Sequence, residues 1–394
     1  MKPCLVGHYH EIALKKKNRP FFEKTLLSNI KIALKDLPFR NLRLYSRRVI
    51  VELPSGSLLT EAAMRLRHIF GLANFAQAWI IPSSLEDIKQ ALGELLLEKN
   101  FKTFRISAKR SDKRYPLTSP EIERKLGYFV QSTLEKKVQL KGPDLTCYVQ
   151  ILGEDALLHF EKQQGPGGLP VSSSGKVLIL ISGGIDSPVA AYKIMKRGCR
   201  PIFVHFHSHP HTSLDAQNKV IDLVHVLCRY QPPTKVYMVP FAPVQQKILA
   251  LTQASTRVLL YRRMMLRICN RIANWEKAKA LVTGDSLGQV SSQTLDNIRA
   301  VTEVSRLPVL QPLIGEDKEE IISQARKIGT FGLSIGADDD CCSLFLPKHP
   351  ITNARIDQVD KAEEPLHIDK LILASLQSTE RVPVGDHMRE SNKK

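Results

Sequence analysis

The residues with the clearest chemical potential lie in the stretch "LILISGGIDSPVAAY" (178–192), where an apolar run ends in two glycines with serines and an aspartate around them. Glycines let main-chain amides approach an anion, while Ser187 is expected to cap a helix and Pro188 suits its first turn. The amides and the positive end of the helix dipole would then face a phosphate group. Asp186 would repel that phosphate unless Mg²⁺ lies between them or the carboxylate has a chemical role. A tight turn alone does not explain Ser182 and Asp186, so the stretch predicts a phosphate-binding loop.

Two adjacent cysteines, Cys341 and Cys342, raise the question of sulfur or redox chemistry. They follow three aspartates (338–340), and negative neighbours oppose the formation of a thiolate. A persulfide is more acidic than a thiol and is less affected. Alternatively, the aspartates turn away or bind Mg²⁺, or the two cysteines are buried structural residues. The seven cysteines of the chain are an odd, scattered set, which is typical of thiols and not of a secreted disulfide scaffold.

Four histidines alternate in "HFHSHPH" (205–211), a spacing that would place them on one face of a continuous strand and suggests a zinc site. Ser208 and Pro210 indicate that the strand has ended, and no cysteine or carboxylate pair lies nearby in the sequence. We therefore predict no metal site formed by these histidines.

The elements that position these residues follow a regular order after residue 175. Apolar runs "KVLILI", "PIFVHFH", "KVYMVPF" and "ALVTGD" alternate with helices expected at 188–197, near 216–228 and over "RVLLYRRMMLRICNRIANWE". This order predicts a parallel sheet with helices on both faces and ligands outside the carboxyl ends of its strands. Another helix is expected over "DKEEIISQARKIG", because Asp317 and Glu320 have capping-box spacing and Gly329 can end the helix.

The N-terminal part has a different organisation. Short alternating strands such as "LRLYSRRVIVEL" flank helical stretches such as "SLEDIKQALGELLLEK", which predicts an α+β arrangement with room for two small domains. The stretch "KQQGPGGLPVSSSG" is rich in Gly, Pro, Ser and Gln and is typical of a linker. A chain of 394 residues also exceeds what one core usually organises. We predict domains over 1–56, 57–162 and 176–394, with a linker over 163–175.

The net charge of +18 is concentrated in the N-terminal part. Residues 1–50 contain 12 Lys and Arg against 3 acidic residues, and residues 101–141 contain 11 against 4. These two segments provide 16 of the 18 net positive charges. A single cluster would be explained by lysines that solvate a helix face, but two clusters favour a surface that binds nucleic-acid phosphates. A solvated turn remains an alternative for the second cluster. The candidate phosphate contacts are Lys15, Lys16, Lys17, Arg19, Lys109, Arg110, Lys113 and Arg114.

The sequence contains no apolar signal run and no window of about 18 uncharged apolar residues, the length that a membrane span needs. We therefore predict a cytoplasmic protein that does not associate with a membrane.

The motif S-G-G-x-D-S after an apolar strand resembles the pyrophosphate loop of the adenine-nucleotide alpha-hydrolase-like ATP pyrophosphatases, which adenylate a substrate oxygen and release pyrophosphate. The longer string "LISGGIDSPVAAYKIMKRG" is similar to one branch, the ThiI family of tRNA 4-thiouridine synthetases. The resemblance covers nearly the whole chain to about residue 352. Five more strings carry it in the same order: "EIALKKKNRPFFE", "VHFHSHPHTS", "TGDSLGQVSSQTLDNI", "PLIGEDKEEII" and "DDCCSLFLPKHPIT".

The resemblance implies a ferredoxin-like domain, a THUMP RNA-binding domain and then a doubly wound parallel-sheet domain of the alpha-hydrolase type. It implies that O4 of a tRNA uridine at position 8 attacks ATP bound with Mg²⁺, and that a cysteine persulfide then delivers sulfur to the adenylated base. The implied partners are tRNA, a cysteine desulfurase as sulfur donor, a ThiS-like carrier protein of the thiamine pathway and a second copy of the chain in a homodimer.

The resemblance also assigns site residues. The catalytic residues would be Asp186 and Cys341, with Cys342 as the adjacent alternative or a resolving thiol. For Arg262 taken alone, a solvent-exposed helix arginine is the alternative to a role in binding. The residues implied to bind ATP lie in the loop, at strand ends and on one helix: Leu180, Ile181, Ser182, Gly183, Gly184, Asp186, Ser187, His205, Phe206, Arg262, Gly284 and Gln293.

The sequence departs from the family pattern at His10 and near Lys16 or Lys17, where glycine is usual, and at Gln311, where arginine is usual. The resemblance is to the family's short form, which has no rhodanese domain, so we expect that sulfur comes directly from the desulfurase. A tRNA-binding protein with a degenerate ATP site is one alternative, which Gln311 favours. An amidating pyrophosphatase is another, which the charge distribution disfavours.

Overall fold

The computed structural model describes residues 1–111, 113–336 and 349–385. The chain divides into two compact units, Met1–Pro170 and Val171–Lys394. The division falls inside the Gly- and Pro-rich stretch 162–175, in which Leu169 and Val171 are buried. Each unit has its own sheet and its own hydrophobic core.

The first unit contains one mixed sheet with the order β2-β3-β1-β4-β8-β7-β5-β6, and β9 pairs with β4. Its strands are β1 (Lys2–His8), β2 (Asn41–Tyr45), β3 (Arg48–Glu52), β4 (Asn74–Pro82), β5 (Thr103–Arg110), β6 (Lys137–Val138), β7 (Leu145–Leu152), β8 (Asp155–His159) and β9 (Gln163–Gln164). Its helices are α1 (Arg19–Ala33), α2 (Leu59–Leu66), α3 (Leu85–Leu97) and α4 (Ser119–Leu134), with short 3₁₀ segments at Glu11–Asn18 and Gly56–Leu58.

The two faces of this sheet differ because side chains alternate along each strand. Helices α1 and α2 cover part of one face, and α3 and α4 cover another part of it. On the opposite face Val6 and Ile50 belong to a small buried apolar cluster. Two residues away on the same strands, His8 and Arg48 continue this face as a polar surface. The predicted boundary near residue 56 stays a prediction, since α2 packs into the same core as α1 and β1.

The second unit is a doubly wound sheet with the order β14-β13-β10-β11-β12-β15, in which the edge strand β15 is antiparallel and the others are parallel. Its strands are β10 (Lys176–Leu180), β11 (Arg200–His207), β12 (Thr234–Pro240), β13 (Leu281–Val282), β14 (Val309–Leu310) and β15 (Glu380–Val384). Its helices are α5 (Asp186–Lys196), α6 (Leu214–Leu227), α7 (Ala242–Leu251), α8 (Arg257–Glu276), α9 (Leu295–Thr302), α10 (Lys318–Ile328), α11 (Phe331–Ser334), α12 (Ile356–Glu363) and α13 (Ile368–Gln377).

Local sequence signals explain several of these elements. The predicted long helix is confirmed as α8, whose buried residues include Tyr261 and Met264 in the main core. The predicted capping box is confirmed at α10, where Asp317 and Glu320 close the first turn, and Gly329 ends the helix with a φ of +83°. Among the described residues, no helix combines the length and the apolar character that a membrane span requires.

The strand order places a binding crevice next to β10. The chain adds β11 and β12 on one side of β10 and later adds β13 and β14 on the other side. In open parallel sheets the crevice lies outside the carboxyl ends of the strands where the winding direction reverses. Here that place lies between β10 and β13, directly beside the loop that precedes α5.

Candidate functional site

A cavity of about 410 Å³ opens at this crevice. An apolar slot beside convergent polar groups is the usual form of a small-molecule site. The apolar lining includes Leu180, Phe206, Val258, Met265, Leu266, Val301 and Val309. The polar lining includes Ser182, Asp186, Ser187, His205, Arg262, Thr283, Asp285, Gln289, Ser292 and Gln293.

The loop between β10 and α5 is braced by its own serines. Oγ of Ser187 accepts a hydrogen bond from the main-chain amide of Ser182 at 2.9 Å, and the two hydroxyl oxygens are 3.3 Å apart. Oγ of Ser182 accepts from the amide of Gly184 at 3.3 Å. The expectation that Ser187 caps the helix is wrong, because the N-cap position is Ile185 and has no side-chain cap. Ser187 instead closes the loop, which fixes the loop's shape before any ligand binds.

Gly284 allows β13 to approach this loop. A Cβ at Gly284 would lie 2.9 Å from the main-chain nitrogen of Ser187 and 3.1 Å from the carbonyl carbon of Asp186. These neighbours are main-chain atoms at the start of α5, so they cannot move aside as a flexible side chain can. The predicted binding residue Gly284 therefore sets how closely the two strand ends meet.

The carboxylate of Asp186 is held from two sides. Nζ of Lys318, the first residue of α10, is 2.6 Å from Oδ1, and Nε2 of Gln289 donates to Oδ2 at 2.9 Å. The side chains of Asp186 and Lys318 are 23% and 43% exposed. An ion pair this exposed contributes little to stability, but it directs the carboxylate and a cation toward the phosphate loop.

A buried charge cluster forms the second polar wall. Nη2 of Arg262 is 2.6 Å from both carboxylate oxygens of Asp285. Thr283, Gln293 and Gln311 donate to the same carboxylate at 2.7, 3.1 and 3.0 Å. Burial alone would raise the pKa of Asp285, but the charge of Arg262 and these hydrogen bonds lower it below its ordinary value. Asp285 therefore stays ionised and fixes the positions of Arg262 and Gln293.

The structure brings most of the predicted ATP-binding residues to one cavity. His205 is buried, and its Nδ1 is 3.0 Å from the carbonyl oxygen of Ile181. Gly183 and Gly184 lie in the loop itself and not in the cavity lining. The predicted residues that line the cavity are Leu180, Ile181, Ser182, Asp186, Ser187, His205, Phe206, Arg262, Gly284 and Gln293.

The sequence analysis missed several polar residues of the site, among them Asp285, Gln289 and Lys318. Asp285 is the last residue of the predicted run "ALVTGD", so its place at a strand end was a usable signal. Lys318 follows the capping residue of α10, and nothing local indicates that this helix start faces Asp186.

The cysteine and histidine predictions have different outcomes. Cys341 and Cys342 lie outside the described residues. No three His, Cys, Asp or Glu side chains converge as metal ligands within the described ranges. The histidine run belongs to β11 only up to His207, as Ser208 and Pro210 indicated.

A second concave site of about 320 Å³ lies on the polar face of the sheet in the first unit, and we call it the basic sheet face. Nε of Arg48 donates to Oε1 of Gln150 at 2.6 Å, and the Gln150 amide is 3.2 Å from Nε2 of His159. The ring of His159 stacks on Tyr148, and Nζ of Lys162 lies 4.2 Å from the centre of the Tyr148 ring. Its lining residues are His8, Tyr9, His10, Ser46, Arg47, Arg48, Asn74, Ser107, Lys109, Tyr148, Gln150 and Lys162.

His8 and His159 are neutral donors or acceptors in the folded protein. Burial, Arg48 and Lys162 lower the pKa of His8 to about 4. Burial, Lys162 and His8 lower the pKa of His159 to about 3. Within the described part of the chain, Nδ1 of each ring is buried without a hydrogen-bond partner. Ser46 and Arg47 form the turn between β2 and β3 with φ values of +47° and +64°, as a tight hairpin turn requires, and both line the site.

The predicted phosphate contacts are only partly brought together. Lys109 and Arg110 belong to β5 and not to a loop, and Lys109 lines the basic sheet face. Lys113 and Arg114 are exposed after that strand. Lys15, Lys16 and Lys17 lie in the 3₁₀ segment before α1, and Arg19 begins α1. Lys16 has a φ of +43°, which favours glycine, the residue that the resemblance leads one to expect near this position.

Comparison with known protein families matches three parts of the chain. The model described as "Thiamine biosynthesis protein (ThiI)" matches residues 172–368. The model described as "ThiI ferredoxin-like domain" matches residues 4–76, and the THUMP domain model matches residues 82–161.

Comparison with whole proteins gives matches of nearly full length. A "Probable tRNA sulfurtransferase" of Thermus thermophilus is 46% identical over 376 residues, which covers 95% of this chain and 92% of that protein. A protein of the same name from Moorella thermoacetica is 43% identical over 385 residues and 98% of both chains. The solved "4-thiouridine synthetase - RNA complex with bound ATP" has a TM-score of 0.89 and 32% identity, and the match covers 98% of this chain and 100% of that one. These matches confirm the predicted fold class.

Proposed function

This chain belongs to the ThiI family of tRNA sulfurtransferases, and we propose that it uses ATP to convert uridine at position 8 of tRNA to 4-thiouridine. The observation that carries the proposal is the convergence of the S-G-G-x-D-S loop, Asp186 and the Arg262–Asp285 pair on one cavity. A protein that only binds tRNA has no need of a braced phosphate loop beside such a cavity. The solved structure that resembles this chain holds both RNA and ATP, as its name states.

The cavity suits a nucleotide. Its apolar slot provides a surface for an adenine, and the loop provides main-chain amides and two hydroxyl groups for phosphate oxygens. Arg262, fixed by Asp285, supplies a guanidinium that can contact phosphate. In the first step O4 of the uridine bonds to the α-phosphorus, the bond to the β-phosphate breaks, pyrophosphate leaves and the base loses the proton from N3. The residues bind and orient ATP, so that the departing oxygen of the base becomes part of AMP.

Asp186 is the side chain that would hold Mg²⁺. Mg²⁺ beside phosphates commonly uses one or two carboxylates together with phosphate oxygens. The carboxylate of Asp186 is partly exposed at the loop, so it can bind the ion. Lys318 and Gln289 would then release this carboxylate or share it with the ion. The ion would neutralise charge on the phosphates. Within the described residues the protein offers no group of three ligands, so phosphate oxygens would have to complete the coordination.

The second step requires a sulfur carrier, and we assign this role to Cys341. Its persulfide, charged by a cysteine desulfurase from L-cysteine, attacks C4 through the terminal sulfur, and AMP leaves with O4. A thiol then cleaves the remaining sulfur–sulfur bond and ends in a disulfide with Cys341, and Cys342 is the adjacent candidate for this thiol. Sulfur donation to a ThiS-like carrier protein, a homodimeric assembly and a cytoplasmic location are further proposals that rest on the family resemblance.

The basic sheet face is the surface that we assign to tRNA. The described residues that line it include Arg47, Arg48, Lys109 and Lys162 and no acidic side chain. Phosphate contacts of this kind position an RNA and do not read its sequence.

The test is the formation of 4-thiouridine in unmodified tRNA incubated with the protein, ATP, Mg²⁺, L-cysteine and a cysteine desulfurase. Asp186→Asn and Cys341→Ala should abolish the product, whereas Asp215→Asn, another first-turn acid of a helix, should retain full activity. tRNA-dependent exchange between ATP and pyrophosphate should survive in Cys341→Ala, because this variant affects only the second step. If tRNA binds but neither exchange nor thionucleoside appears, the protein is a tRNA-binding protein with a degenerate ATP site.

A further inference from the structure

Lys219 of α6 lies directly against the phosphate loop. A Cβ at Gly183 would come within 3.4 Å of Cδ, 3.5 Å of Cε and 3.8 Å of Nζ of Lys219. The lysine stem therefore runs beside the first glycine of the loop and carries its ammonium group to the level of the loop amides. No sequence motif singled out this residue, because it lies 36 positions after Gly183 on another helix.

The same ammonium group contacts the chain beyond α11. Nζ of Lys219 donates to the main-chain carbonyl of Gly336 at 2.7 Å. Oγ of Ser334 donates to the carbonyl of Gly184 at 3.3 Å. Residues 334–336 are thus held at the loop by one direct hydrogen bond, from Ser334, and by Lys219, which bonds to Gly336 while its stem lies beside Gly183. Gly336 is the last described residue before the stretch that contains Cys341.

The loop needs more positive charge than its amides provide if it binds the phosphates of ATP. Lys318 and Arg262 are also cations of this site, and each binds a carboxylate, that of Asp186 or that of Asp285. Their charge is largely offset by these acids. A lysine ammonium at the loop would form charge-assisted hydrogen bonds with phosphate oxygens, which are stronger than its bond to a carbonyl.

We propose that Lys219 binds the pyrophosphate portion of ATP and releases the carbonyl of Gly336 when it does so. This inference rests on the proposed function only in that ATP occupies the loop. Lys219 then contacts the substrate directly. When the loop is occupied, residues 334–336 lose the hydrogen bond that Lys219 donates to them. Nucleotide binding is thereby transmitted to the part of the chain that leads to the sulfur-carrying cysteine.

The experiment measures the binding of inorganic pyrophosphate, ATP and adenosine to the wild type, Lys219→Met, Lys219→Arg and Lys370→Met by calorimetry. Methionine keeps much of the stem and removes the charge. We expect Lys219→Met to weaken pyrophosphate and ATP binding about 10- to 100-fold, the usual effect of losing a hydrogen bond to a charged group. Adenosine binding should be unchanged, Lys219→Arg should recover most of the affinity, and Lys370→Met, an exposed lysine on α13, should match the wild type.

Amide hydrogen exchange provides the second readout. Pyrophosphate should speed exchange in peptides that cover residues 331–336 of the wild type, and this response should disappear in Lys219→Met. If Lys219 only holds α11 in place, the variant will lose stability but will bind pyrophosphate as the wild type does, which would overturn the inference. A wild type that fails to bind pyrophosphate also overturns it. If pyrophosphate binds as expected but no 4-thiouridine forms, the proposed function fails and the role of Lys219 stands.

Discussion

The two candidate sites use charge in opposite ways. In the cavity of the second unit, Arg262 and Lys318 are each matched by an acid, Asp285 and Asp186. On the basic sheet face the described lining residues include arginines and lysines and no carboxylate. Paired charges fix the position of a reacting group, because each ion has one preferred geometry. Unmatched cations attract a polyanion and tolerate variation in where its phosphates lie.

The largest effect should follow the removal of the acid at the centre of the cavity. Asp285→Asn leaves the guanidinium of Arg262 without a counter-ion where the two side chains are 7% and 16% exposed. Breaking a buried pair from one side costs about 3–5 kcal/mol of unfolding free energy. Urea unfolding should show this loss, and thiolation should fall at least 100-fold, because Arg262 and Gln293 lose their anchor. Asp215→Asn should change neither, and an Asp285→Asn protein with normal stability and activity would show that the pair is dispensable.

A smaller effect should follow from a methyl group at the close contact between β13 and α5. Gly284→Ala places a Cβ against main-chain atoms of Ser187, and overpacking of this kind costs about 1–3 kcal/mol. The loop should shift, and the KM for ATP should rise about tenfold, with little change in tRNA binding. Gly315→Ala is the matched control, since a Cβ there meets no atom within 4 Å. Equal kinetics for both variants would show that the loop position is not critical.

The sequence predicted the cavity better than the basic sheet face, and the reason is physical. The phosphate loop is a contiguous strand–glycine–helix signal, and the alternation of elements placed it at the carboxyl end of β10. The Asp285 cluster joins side chains from positions 262, 283, 293 and 311, which only the folded sheet brings together.

The basic sheet face depends still more on strand pairing. Four of its lining residues share a face only because β1 pairs with β3 and β5 pairs with β7 within the same sheet: His8, Arg48, Lys109 and Gln150. Local charge runs therefore indicated the right half of the chain, yet they missed Arg48, Tyr148 and Lys162. Of the residues named from those runs, Lys109 alone lines this site.

The basic sheet face should respond to salt where the cavity does not. Lys109→Ala combined with Lys162→Ala removes two exposed cations that line it. tRNA binding should weaken several-fold at 100 mM salt, and the slope of log K against log salt should become shallower by about 0.7–0.9 for each phosphate that the variant no longer neutralises. ATP affinity should stay unchanged. Lys361→Ala with Lys370→Ala removes the same charge from exposed positions on α12 and α13, and an equal reduction of tRNA affinity there would assign the effect to net charge alone.

The smallest predicted effect is a difference between the two sites in how pH changes the free energy of unfolding. His159 is fully buried with a pKa of about 3, against about 6.5 in an unfolded chain, so the unfolded state binds the proton first. Its contribution to stability is complete above pH 6.5 and is lost as the pH falls toward the folded pKa, by about 1 kcal/mol per pH unit. His159→Gln should therefore reduce the loss of unfolding free energy between pH 7 and pH 5, with His8 responsible for part of the remaining slope.

Asp285 keeps its charge throughout this range because its pKa lies below its ordinary value, so the pH dependence of Asp285→Asn should match that of the wild type. Equal slopes for His159→Gln and the wild type would contradict the assignment of a buried neutral imidazole to the basic sheet face.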